Sequence, residues 1–136
     1  MSNQPMNIFQ VAGRAMSAQL VRMNTTASNL ANAGGTTGSA ETAYKSMRPV
    51  FRTSFDAASG MSTVDVERVV SAGEAPTKRY DPDNPMADKD GNIFEASVDE
   101  TREMVDMMET ARSYQNNVEV MNTAKSLIID TLKLGR

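Results

Sequence analysis

The sequence predicts a mainly α protein in which long N- and C-terminal helices pack as a coiled-coil-like axial domain around a small β-rich or partly ordered central insert. Three observations predict it. Apolar residues step by three and four along both ends of the chain, while the middle carries short alternating runs broken by Pro and Gly. Core-forming residues are also thin: Leu, Ile, Val and Phe supply only 24 of 136 residues. That content is low for a self-sufficient core.

The N-terminal segment, residues 1–33, carries a seam of Phe9, Gly13, Met16, Leu20, Met23, Ala27 and Leu30. Steps of four and three alternate without a break, as on one stripe of a helix. Ala12, Ala15, Ala18 and Ala31 lie beside it and would let a second helix approach closely. Pro5 and Asn7 suit the entry of this helix and Gly34-Gly35 its stop. It would be roughly 38 Å long.

Residues 34–98 show no sustained helical period. "GGTTGSAET" reads as loop, and "MRPVFRTSF" has strand composition with Pro49 restricting it to a sheet edge. In "STVDVERVV" apolar and charged residues alternate as in a half-buried strand. "EAPTKRYDPDNPMADKDGN" reads as extended chain and turns, and "NIFEAS" as one more short strand.

The C-terminal segment, residues 99–136, steps through Met104, Met107, Ala111, Tyr114, Val118, Met121, Lys125, Ile128 and Leu132. Asp99 is a candidate N-cap, and Glu100 and Glu103 suit the positive end of the helix dipole. About 53 Å of continuous helix would result. Such a length calls for neighbours beyond one partner helix, which favours packing shared between subunits.

Charge is segregated. Residues 1–40 contain no acid, only Arg14 and Arg22, whereas residues 81–109 hold ten acids against Lys89 and Arg102. A solvated face would explain this. So would complementarity between segments that meet within a chain or between subunits. A pI near 4.9 without a basic patch excludes general nucleic-acid binding. No run approaches the ~18 apolar residues of a membrane span, so direct membrane insertion is not expected. The N-terminus lacks the basic and apolar regions of a cleaved signal peptide.

Chemistry is nearly absent. Without His or Cys there is no imidazole-assisted nucleophile, thiolate site or His–Cys metal centre. "AGGTTGSA" lacks the Lys of a phosphate-binding loop. Placing Gly91 sixth in a calcium loop aligns Asp88 and Asp90 but puts Met86 and Ser97 where ligands are required. The sequence therefore predicts no catalytic residue, no cofactor and no metal, and no enzyme.

Four separated motifs add a resemblance. "TTASNLANAGG" resembles the N-terminal signature of the flagellar basal-body rod and hook axial family, and "EMVDMMETARSYQNNVEVMNTAKSLIIDTLKLG" is similar to its terminal helix. "YKSMRPVF" and "RYDPDNPMADKDGNIFEASVD" resemble the short proximal-rod members. "VDETREM" departs from the pattern, because the family more often carries apolar residues after this Asp.

The resemblance implies a non-enzymatic subunit of the proximal rod that self-associates through its terminal helices, transmits torque and forms the wall of the export channel for motility. Implied partners are other proximal and distal rod proteins and the basal-body ring or rod adaptor. Implied location is the periplasm-spanning rod, reached through the flagellar type III apparatus without a cleaved signal. On that reading Asn29 and Asn32 cap the helix end and offer amides to an adjoining subunit, with Leu30 as a packing knob. Met16, Leu20 and Met23 continue this interface on the first helix. Ala111, Tyr114, Val118, Met121, Ile128 and Leu132 form it on the second. The other reading is a monomeric binding module using its acidic turn, with a weak calcium possibility.

Overall fold

A computed structural model describes residues 7–135. Asn7 starts the first helix, α1 (Ile8–Asn32), through a capping box: its Oδ1 accepts from the Gln10 N–H, and the Gln10 side chain accepts from the Asn7 N–H. Pro5, expected at this entry, lies outside the described residues. The chain then forms β1 (Thr36–Thr37), β2 (Met47–Asp56), β3 (Met61–Ser71), β4 (Thr77–Tyr80), β5 (Asn92–Glu95) and α2 (Glu100–Leu134). Asp99 caps α2 by accepting from the Arg102 N–H at 3.1 Å.

The mainly α expectation is corrected here. Residues between the helices build two antiparallel sheets: a β2–β3 hairpin and a three-stranded sheet in the order β1-β5-β4. Val and Thr recur through β2 and β3, and such β-branched side chains fit a pleated, half-buried surface. The hairpin register runs from Met47 opposite Ser71 to Asp56 opposite Met61, with Glu67 as an extra residue between the Val50–Arg68 and Phe51–Val66 pairs. Pro49 is tolerated because a two-stranded sheet has only edges. In the other sheet Ile93 of β5 is fully buried. The connection from β4 to β5 holds itself together. The Asp88 carboxylate accepts from the Asp90 and Asn92 N–H groups, and Gly91 turns with φ +76° where a side chain would strike Tyr80.

The two helices run antiparallel, since Asn29 meets Glu103 while Arg22 meets Asp106 and Glu109. Their contact is not the expected coiled-coil seam. Buried on α1 are Ala12, Ala18, Thr25, Thr26 and Asn29, and on α2 Glu103 and Thr110. Ala12, Thr26 and Asn29 lie one residue from the Gly13–Met16–Leu20 stripe and Ala18 and Thr25 two, so the buried face is rotated from it by roughly 100° or more. Close approach is the physical reason. Small Ala and Thr side chains admit the neighbouring elements, while Met and Leu are displaced to the flanks. The buried hydroxyls turn back on their own helix: Thr25 Oγ1 donates to the Val21 carbonyl and Thr110 Oγ1 to that of Asp106. Among the described residues the buried apolar set is only Ala12, Ala18, Ala43 and Ile93.

Candidate functional site

The region where α1, α2 and β2 converge is built around Asn29. This side chain has no solvent exposure and makes four hydrogen bonds within its own chain. Nδ2 donates to the Met47 carbonyl (2.9 Å) and to Glu103 Oε2 (3.0 Å). Oδ1 accepts from the Met47 N–H (2.8 Å) and the Tyr44 hydroxyl (2.9 Å). A primary amide has two donors and two main acceptor directions, and all are engaged. The expectation that Asn29 caps the helix end and serves an adjoining subunit is therefore corrected: its amide is used up inside the fold.

The sequence places Glu103 as a first-turn acid of α2. In the fold it is 1% exposed, and both of its carboxylate oxygens accept from the Arg48 guanidinium. Arg48 reaches Asp106 Oδ2 as well, at 2.9 Å. Asp106 Oδ1 pairs with Arg22, which also faces Glu109 at 3.6 Å. Of the segregated charges Arg22 meets the acidic segment within the chain, and Arg48 from the hairpin joins it to set two arginines against three carboxylates. A buried carboxylate is tolerated only when charge-assisted hydrogen bonds replace its water, and Arg48 and Asn29 supply them. Sequence reasoning missed Arg48 and Asp106 altogether. Its one usable signal was the polar "DETRE" where the resembled family is more often apolar.

The remaining interface candidates lie around this centre. Met16, Met23 and Leu30 are half-buried, and Leu20 is 43% exposed. Asn32 is exposed and donates from Nδ2 to the Ser28 carbonyl, while Ala33 N–H reaches the Leu30 carbonyl at the helix end. On α2, Ala111, Tyr114, Val118 and Met121 are half-buried. Toward its end Leu127, Ile128, Leu132 and Leu134 stand in solvent, with Leu132 68% exposed. Large apolar side chains are thus left uncovered at Leu20 and along the last turns of α2.

Two cavities flank the convergence. A polar cleft of about 680 Å³ lies between the hairpin base and the start of α2, lined by Arg48, Gly73, Ser97, Asp99, Arg102 and Glu103. A shallower apolar groove of about 320 Å³ is lined by Val21, Thr25, Met47 and Val69. Among the described residues no three or more carboxylates converge as a metal site. The Asp88 carboxyl of the acidic turn is held below its ordinary value, chiefly by the Asn92 N–H that it accepts. No helix is long and apolar enough to cross a membrane among the described residues.

Sequence comparison matches the family described as "Flagella basal body rod protein" to residues 9–38, and the one described as "Flagellar basal body rod FlgEFG protein C-terminal" to residues 91–134. These spans contain most of α1 and all of α2. Over 134 residues the chain is 46% identical to the flagellar basal-body rod protein FlgC of Salmonella typhimurium, covering 96% of this chain and 98% of that one. The same figures hold for FlgC of Escherichia coli O6:H1. FlgC of Yersinia enterocolitica is 40% identical over 131 residues, with the same coverage.

Proposed function

Since the chain belongs to the family of flagellar basal-body rod proteins represented by these FlgC relatives, and is a structural subunit of the rod, we propose how its surfaces serve that structure. The proposed place is the proximal rod. There the exposed stripe of Leu20, Ile128 and Leu132, flanked by Met16, Met23 and Leu30, packs against neighbouring subunits. Ala111, Tyr114, Val118 and Met121 extend that surface, and the exposed Asn32 offers its free amide hydrogen at the helix end. Partners are further copies of this chain, other proximal and distal rod proteins and the ring or rod adaptor. The subunit transmits torque and walls the channel without catalysing a reaction.

The observation that carries this reading is the overhang of α2. With Asn29 opposite Glu103 and Arg22 opposite Glu109, the last turns of α2 extend past Ile8, and there Ile128 and Leu132 remain 47% and 68% exposed. Large apolar side chains left outside a thin core mark a surface intended for contact. Export through the flagellar type III apparatus fits a chain whose folded core is so slight. No observation favours the acidic turn as a binding site, because Asp88 Oδ1 is already engaged by the turn's own N–H groups.

The test uses a strain lacking this gene. Expression of the full chain restores swimming and rods in purified basal bodies, and a tagged copy is found in those rods. A chain lacking residues 1–32 is neither secreted nor incorporated. Restored swimming with no tagged copy in the rod overturns the structural role, and normal secretion of the truncated chain overturns the export reading.

A further inference from the structure

Two consecutive residues at the base of the hairpin, Met47 and Arg48, take hold of both helices. Met47 exchanges an N–H and a carbonyl with Asn29 of α1, as a neighbouring strand would. Arg48 binds Glu103 and Asp106 of α2. The two grips share one carboxylate, because Glu103 Oε2 accepts from both Asn29 and Arg48.

We propose that this arrangement is a conformational clasp that locks the base of the β2–β3 hairpin only when α1 and α2 are paired. Removing α2 deprives Arg48 of both carboxylates and Asn29 of one acceptor. Removing α1 deprives Met47 of both main-chain partners and leaves Glu103 short of a donor. Neither helix alone supplies all the partners of these groups, and the network is complete only when both are present. α1 also packs along both β2 and β3, and Arg14 and Asp65 add an ion pair at 3.2 Å with side chains 48% and 34% exposed. An ion pair in that setting contributes little. The hairpin thus takes its orientation from α1, and its base reports whether α2 has joined. For its role in the rod this inference rests on the assembly reading above. The clasp itself does not.

Amide hydrogen exchange on the full chain tests it, with wild type compared against Asn29→Asp, Glu103→Gln and the double variant. Asn29→Asp removes both N–H donors and sets a second carboxylate against Glu103. Exchange at Met47, and at Ala72, whose N–H donates to the Ser46 carbonyl, should rise about tenfold or more, while the hairpin between Thr53 and Val64 stays protected. In the double variant the glutamine amide introduced on α2 can donate to the carboxylate introduced on α1, while the Met47 carbonyl still lacks its donor, so protection should return in part. Should Asn29→Asp not fold, Glu103→Gln decides, loosening the same amides to a smaller extent. Unchanged exchange at Met47 overturns the clasp. So does uniform loss of protection across helices and hairpin tip, or a double variant no better protected than Asn29→Asp. In the gene-deletion strain, Asn29→Asp should not swim in soft agar and the double variant should recover part of the swimming. If wild type swims and the double variant does not, the clasp is overturned while the rod reading stands.

Discussion

Asn29 on α1 and Met47 at the start of β2 exchange two hydrogen bonds, side chain to main chain, at 2.9 and 2.8 Å. An amide on a helix thereby takes the place of a strand neighbour, and the backbone of Met47 is satisfied where the hairpin would otherwise present an edge. The same amide touches Glu103, so the fate of a buried charge is tied to the end of a helix.

Arg48 is the cation that makes Glu103 tolerable. Arg48→Ala should lower unfolding stability by about 3 kcal/mol, because it strands a carboxylate that is 1% exposed. Arg14→Ala, which breaks the exposed pair with Asp65, should cost less than ~1 kcal/mol. Urea denaturation of both variants checks this, and equal losses would refute the distinction.

Variants on the outer stripe should separate folding from assembly. Leu20 and Ile128 are 43% and 47% exposed, so Leu20→Asp and Ile128→Asp should leave the stability of the single chain within ~0.5 kcal/mol. Both should nevertheless abolish swimming and leave basal bodies without this segment of rod, since each sets a charge in an apolar contact. Glu109→Ala should swim. Normal motility of both stripe variants would remove the packing role assigned to that face.

Gly91 is fixed by geometry on two counts. Its φ is +76°, and an added Cβ would stand 2.9 Å from Tyr80 Cε2 and 3.1 Å from Pro82 Cβ. Gly91→Ala should destabilise the protein by more than about 1 kcal/mol, whereas Gly13→Ala, with open space at its Cβ, should be neutral or stabilising. Thermal melting of the pair of variants reads the difference.

Asp88 gives the acidic turn a pH dependence of known sign. Its carboxyl lies below the ordinary 3.8 in the folded chain, first because the Asn92 N–H favours the ionised form. A depressed folded value means that the contribution is fully present above the unfolded value and is lost as pH falls through the folded one. An NMR titration of the side-chain carbon should give a midpoint below 3.8, with the Asp90 and Asn92 amides shifting in step. In Asp88→Asn that coupled shift should disappear.

The two helices, the Asn7 and Asp99 caps, and the "STVDVERVV" and "NIFE" strands were legible because each is written in a local period or a local pairing. Thr36–Thr37 was not, being too short to carry a pattern. Asn29 shows the deeper limit. Its partners Met47 and Glu103 lie 18 and 74 positions away, and no periodicity links residues that meet only through the tertiary fold. The α1 stripe was read as a contact between subunits, and within the chain the buried face of α1 is a different one. Periodicity identifies a side that excludes water, but not whether the neighbour belongs to the same chain. Ala12, Thr25 and Asn29 won the inner position by size and hydrogen bonding, which hydropathy does not register.

The polar inward face of the helix pair also sets the calorimetry of the molecule. Heat capacity rises on exposing apolar surface and falls on exposing polar surface. A chain whose helices bury Thr25, Thr26, Asn29, Glu103 and Thr110 should unfold with a heat-capacity increment below the ordinary ~12–15 cal/mol/K per residue and with a flat stability curve. On the proposed packing, the missing increment is deferred to the moment when Leu20, Ile128 and Leu132 lose contact with water. Joining subunits, rather than folding them, should then carry the large negative heat-capacity change, and the association enthalpy measured by titration calorimetry should become steadily more exothermic on warming.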